Sequence, residues 1–355
     1  MDRVIVGLSG GVDSAVTAAL LLQRGFAVHG ITLKTWKIHN ASHNDTNSAA
    51  EVARVLGIPL EERDISVQFY NEIVVKSFVD QYASGITPNP CVVCNPTLKF
   101  QTLLNTADAL NCTWIATGHY ARVIHLQNRS KLLRGTAPKK DQSYALYRLE
   151  QKHLQRMLLP LGELPDKATV RQLARQLGLP NANQADSQDL CFMGGGDYRE
   201  LLNLFEHAHN KPGAILDEQG NVIGQHTGLA NFTVGQRSGI GIASQERLYV
   251  LRLDPNNNTL TVGRRSSLYQ SSCLLDAVSF TSGSPPADQF SSMAQIRYRS
   301  IEAAVKVVMS GLLKAKIHFA KPQAMITPGQ SLVFYDGDEV LGGGIISTND
   351  NAGQS

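Results

Sequence analysis

The 355-residue chain contains no run of 18 apolar residues, so no bilayer-spanning helix is expected. Met1-Asp2-Arg3-Val4 leads straight toward a strand, without the charged and apolar regions of a secretory leader, and a cytoplasmic protein is expected. Cysteine is scarce. The five present (Cys91, Cys94, Cys112, Cys191 and Cys273) are odd in number and irregular in spacing, which excludes a secreted disulfide scaffold. The net charge of +3 permits a polyanionic partner without demanding one. No internal repeat is visible. The 43% hydrophobic and 18% charged residues suffice for two or three globular units.

Two familiar phosphate signatures are missing as well: no Gly-Lys-Ser/Thr follows a glycine loop, and the Gly-x-Gly-x-x-Gly spacing is absent. In their place stands Ser9-Gly10-Gly11-Val12-Asp13-Ser14, between the apolar run Val4–Leu8 and the helical pattern from Ala15 to Leu22. A short β-branched run, a glycine turn and an apolar helix make the strand-turn-helix of an α/β nucleotide-binding domain. Glycines there allow a tight turn and close approach to a ligand, and the amides after them face an anion at a helix N-terminus. Ser9 and Ser14 add hydroxyl donors. Asp13 cannot hold a phosphate and suggests either a Mg²⁺ ligand or a helix cap.

The first helix is expected from Val12 to Arg24, stopped by Gly25, with a second buried strand over Ala27–Leu33 parallel to the first. A polar loop (Lys37 to Asn47), a helix over Ser48–Leu56, a long helical pattern from Val67 to Ala83 and a strand at Thr113–Gly118 follow. Ligands of open parallel sheets bind beyond the carboxyl ends of the strands, so Ser9–Ser14, Leu33–Trp36 and Gly118-His119-Tyr120 should converge. His119 suits a structural and a site role equally. Past residue 205 hairpins are expected at Ala214–Gly224 and Tyr249–Gly263, then a boundary at Ser282–Pro286. Strands over Ala303–Met309, Lys314–Phe319, Gln330–Tyr335 and Asp338–Ile346 should form a small barrel. The expected architecture is α/β: a doubly wound parallel-sheet domain (1–204), a small central domain (205–280), a β-barrel (281–346) and a disordered tail (347–355).

Cys112 and Cys273 are expected in the core. Cys94 lies in Thr87-Pro88-Asn89-Pro90-Cys91-Val92-Val93-Cys94-Asn95, where two prolines suggest a rigid exposed loop. Cys191 lies in Asp186-Ser187-Gln188-Asp189-Leu190-Cys191-Phe192, with three glycines soon after, as in a mobile functional loop. No strand leads into the Cys-x-x-Cys, and no second one follows, so neither a thioredoxin motif nor a four-cysteine zinc site is supported. Both loop cysteines are candidates for function.

The Ser-Gly-Gly-x-Asp-Ser loop resembles the PP-loop of ATP pyrophosphatases. Together with Thr-Pro-Asn-Pro-x-x-x-Cys-Asn, Ala-Thr-Gly-His-Tyr, Lys-Asp-Gln-Ser-Tyr, Asp-Ser-Gln-Asp-Leu-Cys-Phe and Gly-Gln-Arg-x-Gly-Ile, in that order, it resembles the tRNA-specific 2-thiouridylase family over nearly the whole chain. The resemblance implies adenylation of the C2 oxygen of a wobble uridine by ATP, with Mg²⁺, and replacement of that oxygen by persulfide sulfur. It implies Cys94 as nucleophile and Cys191 as persulfide carrier. For ATP it implies Gly7, Leu8, Ser9, Gly10, Gly11, Val12, Asp13, Ser14, Leu33 and Gly118, with Leu33 replacing the family's common methionine as an apolar wall. For tRNA it implies Asn89, Pro90, Cys91, His119, Lys140, Asp141, Gln142, Arg297, Tyr298 and Gln330. The partners implied are tRNA and a persulfide donor protein, with a monomer expected.

Residues 288–321 carry Arg297, Arg299, Lys306, Lys314, Lys316 and Lys321 against Asp288 and Glu302, a strip that is either a solvated face or a phosphate-facing one. A target base would also have to leave its stack, and the Thr87–Cys91 segment could receive it. Cys91 stands where many family members have aspartate. Two readings stay open: Cys91, Cys94 and Cys191 as ligands of a [4Fe–4S] cluster, or Cys94 and Cys191 acting by persulfide and disulfide with Cys91 spare or resolving. Two other functions stay open too: a PP-loop synthetase or amidotransferase acting on a small molecule, and an RNA-binding module with a metal site.

Overall fold

The structure, a computed structural model, describes residues 1–38, 44–184, 190–205 and 211–348, of which 44–46 by backbone alone. Residues 39–43 of the polar loop expected at 37–47 lie outside the described residues. So do Asp186 to Asp189 of the Cys191 motif and nearly all of the tail expected at 347–355.

The N-terminal sheet is built outward from β1 (Arg3–Gly7). It is flanked by β2 (Ala27–Lys34) and β3 (Leu60–Asp64) on one side. On the other lie β4 (Trp114–Ala116) and, beyond the hairpin of β5 (Ala121–His125) and β6 (Ser130–Arg134), β7 (Met157–Leu158). All pairings in the order β3-β2-β1-β4-β7 are parallel. Val4, Ile5 and Val6 are fully buried, which is why β1 reads as a continuous apolar run rather than an alternation. One face is covered by α1 (Val12–Gln23) and α2 (Asn44–Leu56), whose Val16, Ala18 and Val52 pack with Val4 and Val6. The other is covered by a helix at 90–109, numbered α4 below, through Phe100, Leu103 and Ala107 against Ile5 and Ile115. The sheet is therefore doubly wound.

The helix α3 (66–83) starts where the Asp64 carboxylate accepts from the Ser66 amide at 2.9 Å and its hydroxyl at 2.6 Å. Those bonds and Lys34 hold the Asp64 carboxyl far below its usual range. Helix α4 (90–109) opens with Pro90 at its first position, and a π-wound turn at Asn95–Lys99 precedes its regular part. Residues 91–94, expected in an exposed loop, are instead the first turn of α4. Proline suits a first helical position because it lacks an amide that would go unused there. A fifth helix, α5 (Lys167–Gln176), packs on α1 and is capped by Asp166 through the Thr169 amide at 2.8 Å.

The central unit is a four-stranded sheet of β8 (Gly213–Leu216), β9 (Val222–His226), β10 (Tyr249–Asp254) and β11 (Thr259–Gly263), in the order β10-β11-β8-β9. The barrel comprises β12 (Tyr269–Phe280), β13 (Gln289–Gln295), β14 (Ala303–Gly311), β15 (Lys314–Ala324), β16 (Ser331–Asp336) and β17 (Glu339–Ile346), closed by β12 pairing with β17. Its first strand thus begins at Tyr269, ahead of the boundary expected at 281. Residues 282–286 are only the turn from β12 to β13. The polar start of β12, Gln270-Ser271-Ser272, resembles a linker, but Cys273, Leu275, Val278 and Phe280 point into the barrel core. The β5–β6 hairpin has no counterpart among the expected elements. It extends the barrel sheet, with Leu133 of β6 opposite Glu339 of β17.

Candidate active site

The turn after β1 folds onto itself. Gly10 takes φ 78°, a left-handed conformation that a side chain would strain. The Ser14 hydroxyl donates to the Gly11 carbonyl at 3.0 Å and accepts from the Ser9 amide at 3.2 Å. Leu8 and Val12 are buried, so of these two only the backbone can face a ligand. Asn181 clamps the turn from outside, donating to the Gly10 carbonyl at 2.8 Å. Gly118, just past the end of β4, lies against the same turn. A Cβ there would stand 2.8 Å from the Asp13 carbonyl carbon and 2.9 Å from the Ser14 amide nitrogen. Its glycine is required by packing on the loop, whatever contact it makes with a nucleotide.

Asp13 is not the helix cap, a position that Gly11 occupies in α1. Its carboxylate is engaged within the chain: Oδ1 accepts from the Tyr120 hydroxyl at 2.7 Å and pairs with Lys167 Nζ at 2.7 Å. Lys167 also lies 5.9 Å from the Tyr120 ring centroid. This puts a largely buried cation at the base of the phosphate loop, and no local feature of the sequence announces it. Lys167 is 154 residues from Asp13, and only the packing of α5 on α1 joins them.

The thiols lie at the same edge of the sheet. Helix α4 leads into β4, so its N-terminal half lies toward the carboxyl ends of the strands. Phe100, midway along it, meets His119 just past β4, with ring centroids 5.6 Å apart. Cys94 is buried in one cluster with Phe69, Phe78, Phe192 and Met193. Phe192 adjoins Cys191, which is exposed, and the Phe192 carbonyl accepts from the Ile38 amide at 3.2 Å beyond β2. Cys91 is half-buried, and the three sulfurs fall within electrostatic reach of one another. Burial pushes the Cys94 thiol up to about 12, opposed by the Lys99 charge and by the Lys99 amide. Burial raises Cys91 as well, again opposed by Lys99. Burial and then Lys99 push His119 down to about 3, so it is a neutral imidazole, bonded through Nδ1 to Thr117 Oγ1 at 2.8 Å. Lys99 is a residue that sequence reasoning misses. It lies five residues after Cys94, and the π turn brings it back to the sulfur.

Cys112 and Cys273 are core residues, each 3% exposed, as expected. Leu33, near the end of β2, is half-buried at the same edge. Of the residues assigned to RNA, several spend their polar groups inside the chain. Asp141 accepts from the amides of Gly135 at 2.9 Å and Ser143 at 3.1 Å. Gln142 Oε1 holds the Tyr120 amide at 2.9 Å. Gln330 Nε2 donates to the carbonyls of Thr87 at 3.0 Å and Pro88 at 3.3 Å, tying the barrel to the segment before α4. Asn89 precedes α4 and Pro90 is buried in it. Tyr298 donates to the Asp141 carbonyl at 3.3 Å, and the exposed Arg297 and half-buried Lys140 flank that junction. Arg122, Arg134 and Arg299 line a cleft of about 540 Å³ between the β5–β6 hairpin and the barrel, with Asp141, Glu302 and Asp338 interspersed.

Together these features define a class: a PP-loop type of nucleotide-binding domain, with thiols beside the phosphate loop and a β-barrel docked through Gln330. Comparison with known proteins gives the particular family. Models for the tRNA methyl transferase HUP domain, the tRNA methyl transferase PRC-barrel domain and the aminomethyltransferase beta-barrel domain match residues 2–195, 203–264 and 270–346. The chain is 42% identical to tRNA-specific 2-thiouridylase MnmA 1 of Caldanaerobacter subterraneus subsp. tengcongensis, covering 97% of this chain and 98% of that protein. It is 44% identical to the Magnetococcus marinus tRNA-specific 2-thiouridylase MnmA, covering 97% and 99%. A 4-thiouridine synthetase solved with RNA and bound ATP aligns at 16% identity and TM-score 0.37, over 57% of this chain and 50% of that one, too distant to carry an argument. The chain belongs to the tRNA-specific 2-thiouridylase MnmA family.

Proposed function

We propose that the chain is a tRNA uridine 2-sulfurtransferase. ATP adenylates the C2 oxygen of the wobble uridine, and sulfur from a protein persulfide replaces that oxygen, giving 2-thiouridine, AMP and pyrophosphate. The observation that carries this reading is a phosphate loop and three cysteines at one sheet edge, in a chain matched end to end by proteins named 2-thiouridylases. The loop amides and the Lys167 charge suit a departing pyrophosphate, and Leu33 suits an apolar wall for adenine.

Cys191, exposed, carries the persulfide received from a donor protein. Its terminal sulfur attacks C2, and AMP leaves with the C2–O electron pair. The Cys94 thiolate then attacks Cys191 Sγ. The S–S bond breaks, its electrons settle in the new thiocarbonyl, and a Cys94–Cys191 disulfide remains. Burial of Cys94 keeps it protonated until this step, with Lys99 favouring the thiolate.

Asp13 does not suit Mg²⁺, because its Oδ1 is engaged by Lys167 and Tyr120. Mg²⁺ would accompany the phosphates of bound ATP, screening their charge. Among the described residues no three His, Cys, Asp or Glu side chains are grouped as ligands of one metal, and the persulfide reading is the one proposed over a [4Fe–4S] cluster. No described helix is long and apolar enough to cross a membrane, and the proposed setting is cytoplasmic, as a monomer.

ATP-dependent thiolation of unmodified tRNA by wild type, Cys94→Ser and Cys191→Ser tests the reading. Both variants should lose product; wild-type amounts in both would defeat it.

A further inference from the structure

Cys91 has no part in the sulfur transfer just described, yet it is a half-buried thiol one helical turn before Cys94. Side chains three apart on a helix are neighbours, with Cβ atoms about 5–6 Å apart. A disulfide requires about 3.5–4.5 Å, so a small adjustment of the first turn of α4 suffices. Cys94 also shares its apolar cluster with Phe192, the neighbour of Cys191. Cys94 therefore has two thiols within electrostatic reach, one on its own helix and one on a separate segment.

We propose that Cys91 is a resolving thiol that clears the Cys94–Cys191 disulfide from within the chain. This rests on the sulfurtransferase reading. The Cys91 thiolate attacks Cys94 Sγ, the Cys91–Cys94 bond forms, and the Cys94–Cys191 bond breaks. The electron pair leaves on Cys191 Sγ, which takes up the proton lost by Cys91. One disulfide is exchanged for another, so no oxidant or reductant is consumed. Cys191 becomes a thiol again, ready for the next persulfide, and an external dithiol later reduces the Cys91–Cys94 pair.

Burial sets the direction. Attack at Cys94 expels the exposed Cys191 thiolate, which water stabilises. Attack at Cys191 would expel the buried Cys94 thiolate, a poor leaving group because burial disfavours its charge. Lys99, which lowers both Cys91 and Cys94, supports the attacking thiolate.

The test needs neither tRNA nor ATP. The full chain is oxidised with one equivalent of diamide, quenched with acid, alkylated and digested for disulfide mapping by mass spectrometry. The expected product is a Cys91–Cys94 pair with Cys191 alkylated, and Cys91→Ser should instead accumulate Cys94–Cys191. A predominant Cys94–Cys191 pair in wild type, with Cys91 alkylated, overturns the proposal. Failure of the sulfurtransferase reading would show separately, as tRNA thiolation that survives in both Cys94→Ser and Cys191→Ser.

Discussion

At Asp13 a carboxylate close to the proposed phosphate site would repel the ligand, and Lys167 and Tyr120 engage it instead. Lys167→Met removes the compensating charge. A hydrogen bond to a charged group contributes about 1.5–3 kcal/mol, about a ten- to hundredfold change in an equilibrium. The KM for ATP in pyrophosphate release should rise by about that factor, while alkylation of Cys191 stays as in wild type. Equal ATP kinetics in the variant would refute the role.

His119 makes a pH prediction. Its folded pKa of about 3 lies below the ordinary 6.5, so between these values the unfolded chain binds the extra proton. Stability therefore falls as pH drops through that window. His119→Gln cannot titrate, and its melting temperature should decline less than that of wild type between pH 7 and pH 5. Parallel declines would show that another group governs the acid limb. The Ser9–Ser14 loop was legible because its meaning is local. Lys167 and Asn181 were not, since nothing near them in sequence points to the loop.

Among the elements, the end of β4 and the start of α1 are fitted so closely that Gly118 has no room for a methyl group. Gly118→Ala should push the Asp13–Ser14 peptide away from β4 and weaken ATP binding about five- to 150-fold, in line with the 1–3 kcal/mol usual for overpacking. Calorimetric titration with ATP reads it; unchanged affinity would mean that the loop gives way freely. The elements with a clear local pattern, the apolar runs of β1 and β2, the helix α1 and the hairpins of the central sheet, were legible in the sequence. The first turn of α4 was not, because Pro88 and Pro90 are turn residues and helix starters alike, and the buried side of Cys94 decides between them only after folding. Strand β7, two residues long, carries no period at all.

At the scale of the molecule, Gln330 links the barrel to the segment that leads into the thiol helix. Gln330→Ala removes two hydrogen bonds, at about 0.5–1.5 kcal/mol each. It should raise the KM for tRNA and leave that for ATP alone; a rise in both would place the effect in the nucleotide domain. The lysines Lys306 and Lys316 stand on the outer face of β14 and β15, between the inward Val305, Val307, Ala315 and Ile317. If they neutralise phosphates, the double alanine variant should flatten the salt dependence of tRNA binding, by about 0.7–0.9 in log–log slope for each phosphate no longer neutralised. An unchanged slope would assign them to solvent. The change of texture near residue 205, from helical patterns to hairpins, was legible in the sequence. The join between the nucleotide domain and the barrel was not, because a hairpin at 121–134 and a strand at 339–346 belong to one sheet, and strand pairing across about 200 residues leaves no mark on either segment.

That join has a consequence for how the chain is made. When β6 leaves the ribosome, its partner β17 has yet to be synthesised, and the hairpin waits with an open edge. Lys131 and Arg134 on β6, Arg129 in the hairpin turn and Arg122 on β5 make the hairpin basic, and they later meet Asp338, Glu339 and Glu302. Positive charge on an unpaired strand discourages other chains from adding to it. The same residues that fasten β6 to the barrel thus guard the nascent nucleotide domain until β17 arrives.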